Sequence, residues 1–307
     1  MMGRRFVVIT GPTASGKTRV SVEVAKASGS CVISADSMQI YKGMDIGTAK
    51  ITPREMQGVP HYMIDIVSPN QAYSAAEYQR TAFELIDREN EKGLTPVVAG
   101  GTGLYIHSLV YDIDFTNTPA NDTVRQKYLQ LADDKSIQHL YNELRQKDPA
   151  YASIIAPTDL RRIVRRLEII ENGGADEYDF RRKNTRDDIL MIGISLPRET
   201  LYNRINARVN EMISNGLVEE ARQLYNQYGM VNAFKAIGYK ELFTSFDGEQ
   251  TLEETIELIK RNTRRYAKRQ MTWFKRDERI NWIDFGASLC IEDAINVIIK
   301  IIKEKGF

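Results

Sequence analysis

Apolar positions along the chain follow two periods, and the change between them divides the sequence. Phe6 to Thr10 is a short β-branched run closed by glycine and proline, the pattern of a buried parallel strand that feeds a loop. A helix from Lys17 to about Ala27 follows it. Ser30 to Ala35 reads as a second strand and Pro96 to Ala99 as a third, which runs into Gly100-Gly101-Thr102-Gly103 and another helix. Leu190 to Ser195 reads as a fourth. Strands alternating with helices predict an α/β fold, a three-layer parallel sheet with helices on both faces, in which ligands sit beyond the carboxyl ends of the strands. From about Thr116 to Asp188 the period is helical throughout, as in Tyr128, Leu131, Ile137, Leu140 and Leu144, which predicts a helical insertion at 116–188 inside a core made of 1–115 and 189–307. Asn172 to Asp188 is poor in apolar residues and is expected to be a mobile connection. After Pro197 the chain is again largely helical.

The first strand opens onto Gly11-Pro12-Thr13-Ala14-Ser15-Gly16-Lys17-Thr18, which satisfies G-x-x-x-x-G-K-[ST] in its required strand-loop-helix setting. Glycines let backbone N–H groups converge on phosphate oxygens, the helix start adds partial positive charge, Lys17 adds a full one, and the Thr18 hydroxyl is suited to Mg²⁺. The loop names no reaction, because kinases, NTPases and group transferases all use it. Asp36 ends the second strand at the same edge. Position alone leaves three roles open for it: a helix cap, a water-mediated Mg²⁺ ligand, or a general base. Thr102, in the glycine turn after the third strand, offers a hydroxyl there too, although a plain turn would look the same.

Composition narrows the class. The chain has 307 residues, 42% of them apolar, with 42 Lys and Arg against 41 Asp and Glu, so it can bury a sizeable core and carries no global basic field. Any surface for nucleic acid must be local. Such a stretch lies between Glu253 and Arg276, where Lys260, Arg261, Arg264, Arg265, Lys268, Arg269, Lys275 and Arg276 occur with no acid between them. On a helix Arg261, Arg265, Lys268 and Lys275 share a face, while Ile259, Tyr266 and Trp273 share another. A solvated face is the ordinary meaning of such a stripe; in a near-neutral chain we read it as a phosphate-backbone contact. Arg161, Arg162, Arg165 and Arg166 form a second cluster, for which pairing with Asp159, Glu168 and Glu171 is an equally simple reading. Cys31 and Cys290 alone exclude a disulfide framework and fit a reducing compartment. No apolar run approaches the length of a membrane span, so a cytoplasmic protein is expected.

Together these segments resemble the tRNA dimethylallyltransferase family in its bacterial form. The resemblance rests on Gly11 to Thr18, on the block Asp36-Ser-Met-Gln-Ile-Tyr-Lys-Gly-Met-Asp-Ile-Gly-Thr-Ala-Lys50, on Pro60-His61 with Asp65-Ile66, and on Tyr73-Ser74-Ala75. Gly100 to Tyr105, Ile237-Gly238-Tyr239 and Ala267 to Phe274 continue it, in the family's order. It implies transfer of a dimethylallyl group from dimethylallyl diphosphate to the exocyclic N6 of an adenine beside the tRNA anticodon, with Mg²⁺ and release of pyrophosphate. Carried over by motif, Asp36 would be the base, Gly11 and Thr13 to Thr18 the diphosphate site, and Lys17, Thr102 and Arg208 catalytic partners. Asp36, Ser37, Met38, Gln39, Thr102, Arg125, Arg161, Arg162, Arg165, Lys235, Gly238, Tyr239 and Lys240 would contact tRNA, joined by Arg261, Arg265 and Lys268 of the basic stripe. The stretch from Gly173 departs from the family's pattern, so nothing is carried over from Asn172 to Arg186. An apolar slot for the five-carbon chain is expected around Met38, Ile40 and Leu104, with Tyr105 a candidate to line the path of an extruded adenine. A monomer is expected. The rivals are a small-molecule P-loop kinase or NTPase, a prenyltransferase of free adenine nucleotides, and a non-enzymatic nucleotide switch.

Overall fold

The structure is a computed structural model and describes residues 3–111, 113, 115, 121–173, 184, 187–246, 248, 250–285 and 290–307. In chain order the elements are β1 (Arg5–Thr10), α1 (Lys17–Ala27), β2 (Val32–Ala35), α2 (Pro53–Met56), β3 (His61–Tyr62), α3 (Ala75–Glu91), β4 (Val97–Gly100), α4 (Gly103–Val110), α5 (Asp122–Lys135), α6 (Ile137–Lys147), α7 (Pro149–Ala152) and α8 (Leu160–Glu171). They continue with β5 (Asp188–Ser195), α9 (Arg198–Ser214), α10 (Leu217–Tyr228), a 3₁₀ turn at Asn232–Lys235, α11 (Tyr239–Phe246), α12 (Leu252–Phe274), β6 (Ile280–Asp284) and α13 (Ile291–Glu304). The chain divides into a unit of Met1–Tyr111 with Lys183–Phe307 and a unit of Asp112–Arg182.

The larger unit holds a six-stranded sheet, order β3-β2-β4-β1-β5-β6, with every neighbouring pair parallel. It is the parallel α/β sheet that the strand-helix alternation predicts, with two strands more than the sequence pattern signals. β3 has only two residues, and β6, Ile-Asn-Trp-Ile-Asp, lacks the β-branched run that marks the central strands. Val7 and Ile9 face a core shared with Val20, Val24, Ile295 and Ile298 of α1 and α13. Phe6 and Val8 are wholly buried on the alternate positions, as period-two side chains of a doubly covered sheet must be.

Register decides where the loops emerge. Thr10 lies opposite Gly100, and Ala35 lies opposite Gly100 from the other side. The next residues, Gly11, Asp36 and Gly101, therefore leave the sheet side by side at the carboxyl ends of its central strands. The crowding there requires glycine: a Cβ on Gly11, whose φ is +146°, would sit 2.5 Å from the Ile194 carbonyl oxygen, and one on Gly100 would sit 2.2 Å from that of Ala35.

A further core joins the segment after β2 to the helices beyond β5, with Ile40, Met44, Leu217, Phe234, Tyr239, Leu242 and Phe243 at its centre. The smaller unit has its own core of Tyr128, Leu140, Leu144, Ile163, Val164 and Leu167, spaced as amphipathic helices require. The expected mobile connection falls mostly on residues 174–183, 185 and 186, outside the described residues.

Candidate active site

A cleft of about 730 Å³, solvent at its mouth included, opens over the carboxyl ends of β1, β2 and β4. Thr13 to Thr18 form one wall, Asp36 and Gln39 another, and Gly100, Gly101, Arg208, Tyr266 and Gln270 close it. The predicted loop, acid, glycine turn and distant arginine thus meet in one place.

The loop passes from β1 into α1 through Gly16, whose φ of +93° is left-handed. Lys17 folds back so that Nζ donates to the Pro12 carbonyl at 2.6 Å. Its ammonium is lowered to about 7, chiefly by burial and next by the Arg208 guanidinium, with the Asp36 carboxylate acting in the opposite sense. Burial likewise lowers Arg208, against the attraction of Asp36. Two cations and one carboxylate therefore share a cleft that an anion would complete. The buried Ser15 hydroxyl, which has no hydrogen-bond partner among the described residues, points to the same need for an oxygen-rich ligand.

Asp36 follows β2 directly. One carboxylate oxygen accepts the Met38 N–H at 2.9 Å, which fixes the side chain without consuming its other oxygen in that bond. Thr102 binds the neighbouring turn: its Oγ1 accepts the Ser37 N–H at 2.9 Å and its hydroxyl donates to Ser37 Oγ at 3.2 Å. Gln39 accepts from Ser34 Oγ at 3.2 Å and donates to the carbonyls of Thr48 and Ala49. So the side chains of Asp36, Gln39 and Thr102 are held by bonds between β2, its following loop and the glycine turn.

Two further members of the cleft, Tyr266 and Gln270, were not expected at the site from sequence. Both come from α12, on the face opposite its exposed cations. Burial raises the Tyr266 hydroxyl well above the usual phenol value, and that hydroxyl lies against Thr102 and Gln270. Their i, i+4 spacing marks a shared face but does not say what that face meets.

Ile40 is wholly buried in the core and Leu104 is exposed, whereas the apolar residues lining the cleft are Val32, Ile51, Ile64 and Ala99, with His61 beside them. Met38 packs against the core of Ile40 and does not line the cleft. Tyr105 is buried and stacked on Tyr78 at 3.9 Å, a core role and not a passage lining.

Cations and motif residues expected at RNA divide by environment. Arg261, Arg265 and Lys268 are exposed on α12, as are Lys235 and Lys240 nearby, while Arg264 instead donates to Asn206. Gly238 and Tyr239 are buried, which corrects the expectation that they touch RNA: Tyr239 is a core residue that donates to Glu220 at 2.6 Å. In the smaller unit Arg125 and Arg165 pair with the buried Glu168, Arg162 with Asp159 and Arg166 with Asp148, so ion pairing accounts for much of that cluster. Arg161 is exposed.

A parallel sheet with a phosphate loop, a carboxylate after the next strand and converging cations defines an enzyme of the P-loop class that acts on a phosphorylated donor. The family model described as IPP transferase matches residues 39–277, and the chain belongs to that family. A tRNA dimethylallyltransferase of Caldanaerobacter subterraneus is 49% identical over 291 residues, covering 92% of each chain. One of Anoxybacillus flavithermus is 44% identical over 309 residues, covering 99% of this chain and 98% of that one. The crystal structure of a full-length tRNA isopentenylpyrophosphate transferase of Bacillus halodurans matches with a TM-score of 0.75 at 41% identity, over 98% and 96% of the two chains. A eukaryotic dimethylallyltransferase captured acting on tRNA matches with a TM-score of 0.82 at 27% identity, over 98% of this chain and 80% of that one.

Proposed function

We propose that the chain transfers a dimethylallyl group from dimethylallyl diphosphate to N6 of an adenine adjacent to the tRNA anticodon, releasing pyrophosphate. The observation that carries this reading is the cleft in which the phosphate loop, Asp36 and Arg208 meet beside the apolar side chains of Val32, Ile51 and Ile64.

The adenine amine is a weak nucleophile because its lone pair is delocalised into the ring. As N6 bonds to C1 of the allyl group, the C1–O bond breaks and the N6 proton passes to the Asp36 carboxylate. Negative charge gathers on the departing diphosphate, where Lys17, Arg208 and the loop N–H groups offset it. The Thr18 hydroxyl at the start of α1 lines the same cleft, and a cation that keeps waters and substrate phosphates needs only such sparse protein ligands, so Thr18 suits Mg²⁺. When bound, Mg²⁺ neutralises part of the diphosphate charge. Ser37, Gln39 and Thr102 border the adenine position in this reading, and Tyr266 closes it from α12. A base stacked in its loop cannot reach this depth, so the adenine is extruded before reaction.

Arg261, Arg265, Lys268, Lys235 and Lys240 supply phosphate contacts in this reading; of the smaller unit's expected contacts, Arg161 is exposed while Arg125, Arg162 and Arg165 are engaged in ion pairs. The protein works as a cytoplasmic monomer. Among the described residues no helix is long and apolar enough to cross a membrane.

The test compares donors. The full chain is incubated with Mg²⁺, an unmodified tRNA with adenine beside its anticodon, and either dimethylallyl diphosphate or ATP. Mass spectrometry of the digested RNA should show prenylated adenosine with the allylic donor only. Hydrolysis of ATP without prenyl transfer would assign the chain to the kinase or NTPase class.

A further inference from the structure

Helix α12 has two working faces. Outward it presents Arg261, Arg265 and Lys268 to solvent. Inward it buries Gln270, 6% exposed, between the two loops that build the cleft. Gln270 Oε1 accepts the Thr13 N–H at 2.9 Å, and Nε2 donates to the Gly101 carbonyl at 2.9 Å. The seat is close-fitting, since a Cβ on Gly101 would lie 2.2 Å from Nε2. One turn earlier Tyr266 lies against Thr102 from the same face. A single amide thus fastens the phosphate loop after β1 to the glycine turn after β4, from a helix of 23 residues whose start is fixed by a Thr251–Glu254 capping box.

Such an arrangement transmits position. A hydrogen bond is lost when its donor and acceptor separate by much more than about 3.5 Å, so the loop and the turn, already set side by side by the β1–β4 register, keep this further tie only while α12 stays in place. A long polyanion seated on the outer cations constrains that helix. We propose that Gln270 is a positioning residue that couples RNA bound on the outer face of α12 to the diphosphate loop, so that each ligand raises the affinity for the other. This rests on the reading of function given above, in which RNA lies on that face. The coupling is reciprocal by thermodynamic necessity.

Calorimetry on the full chain tests it, with pyrophosphate and Mg²⁺ as one ligand and an unmodified anticodon stem-loop RNA as the other. In the unaltered protein, saturating RNA should tighten pyrophosphate by about fivefold or more, and saturating pyrophosphate should tighten RNA by the same factor. Gln270→Met keeps the volume and removes both hydrogen bonds; Gln270→Asn keeps the amide but is too short to span both loops. In each variant that melts cooperatively the factor should fall below about twofold while both ligands still bind. A purely structural glutamine would lower both affinities and leave their ratio unchanged. Equal pyrophosphate affinity with and without RNA in the unaltered protein, or an unchanged factor in either folded variant, overturns the inference and leaves the transferase reading intact. Failure of the unaltered protein to bind RNA overturns both.

Discussion

The Tyr239 hydroxyl donates to Glu220 at 2.6 Å, and the same carboxylate accepts the backbone N–H groups of Asp45, Ile46 and Gly47 at 3.0, 2.8 and 3.1 Å. Glu220 of α10 therefore anchors the loop whose Thr48 and Ala49 carbonyls hold Gln39 at the cleft. Tyr239→Phe removes one of these bonds and should cost about 1 kcal/mol of unfolding free energy. Glu220→Ala strands three backbone donors and should cost on the order of 3 kcal/mol. Urea denaturation measures both; equal losses would mean that water replaces the carboxylate.

Asp36→Asn retains an oxygen for the Met38 N–H and removes the base. Turnover should fall by about 10²- to 10⁴-fold, with tRNA affinity changed by no more than about threefold, because the carboxylate acts in the transition state. Single-turnover transfer at a near-normal rate would remove Asp36 from the role of base.

The exposed cations of α12 should each carry one phosphate contact. Alanine at Arg261, Arg265 or Lys268 should reduce the steepness of the salt dependence of tRNA binding by about one counterion or less, and weaken binding evenly across tRNA sequences. Three unchanged slopes would assign the stripe to solvent.

Lys17 is lowered to about 7 in the free protein, so it loses its charge as pH rises through neutrality. A bound diphosphate favours the ammonium, and binding should therefore take up a proton and weaken above pH ~7. Lys17→Arg stays charged throughout. The ratio of pyrophosphate affinities of the two proteins, which cancels the ligand's own titration, should fall as pH rises through 7. A flat ratio from pH ~6 to ~9 would contradict a lowered Lys17.

His107, packed between Trp273 at 4.9 Å and Tyr111 at 4.8 Å, is lowered to about 4, chiefly by burial. Between its ordinary value near 6.5 and about 4 the unfolded chain takes up a proton that the folded chain refuses. Stability should accordingly fall as pH drops through that window. His107→Leu should make the fall shallower by up to one proton in slope, measured by urea denaturation at a series of pH values; identical slopes would show that His107 titrates normally.

By itself the sequence determined whatever depends on neighbours along the chain. The β-branched run Phe6 to Thr10, the loop from Gly11 to Thr18, the helix from Lys17 and the acid at Asp36 follow from local propensity and from glycine at positions that no side chain fits. The helical period of 121–171 was legible for the same reason, whereas β3 and β6, too short or too polar to show a period, were not. Only the tertiary structure decided which partners meet. Gln270 reaches Thr13 across 257 positions and Gly101 across 169, and Glu220 reaches Gly47 across 173. Tyr239 turned from a surface expectation into a core residue, and of Met38, Ile40 and Leu104, expected around an apolar slot, none lines the cleft, whereas Val32, Ile51 and Ile64 do. Periodicity states which face of an element is buried, because burial is set by the repeat of the backbone. It does not state which groups that face encounters, because strand order and register, fixed by the packing of the whole sheet, choose them.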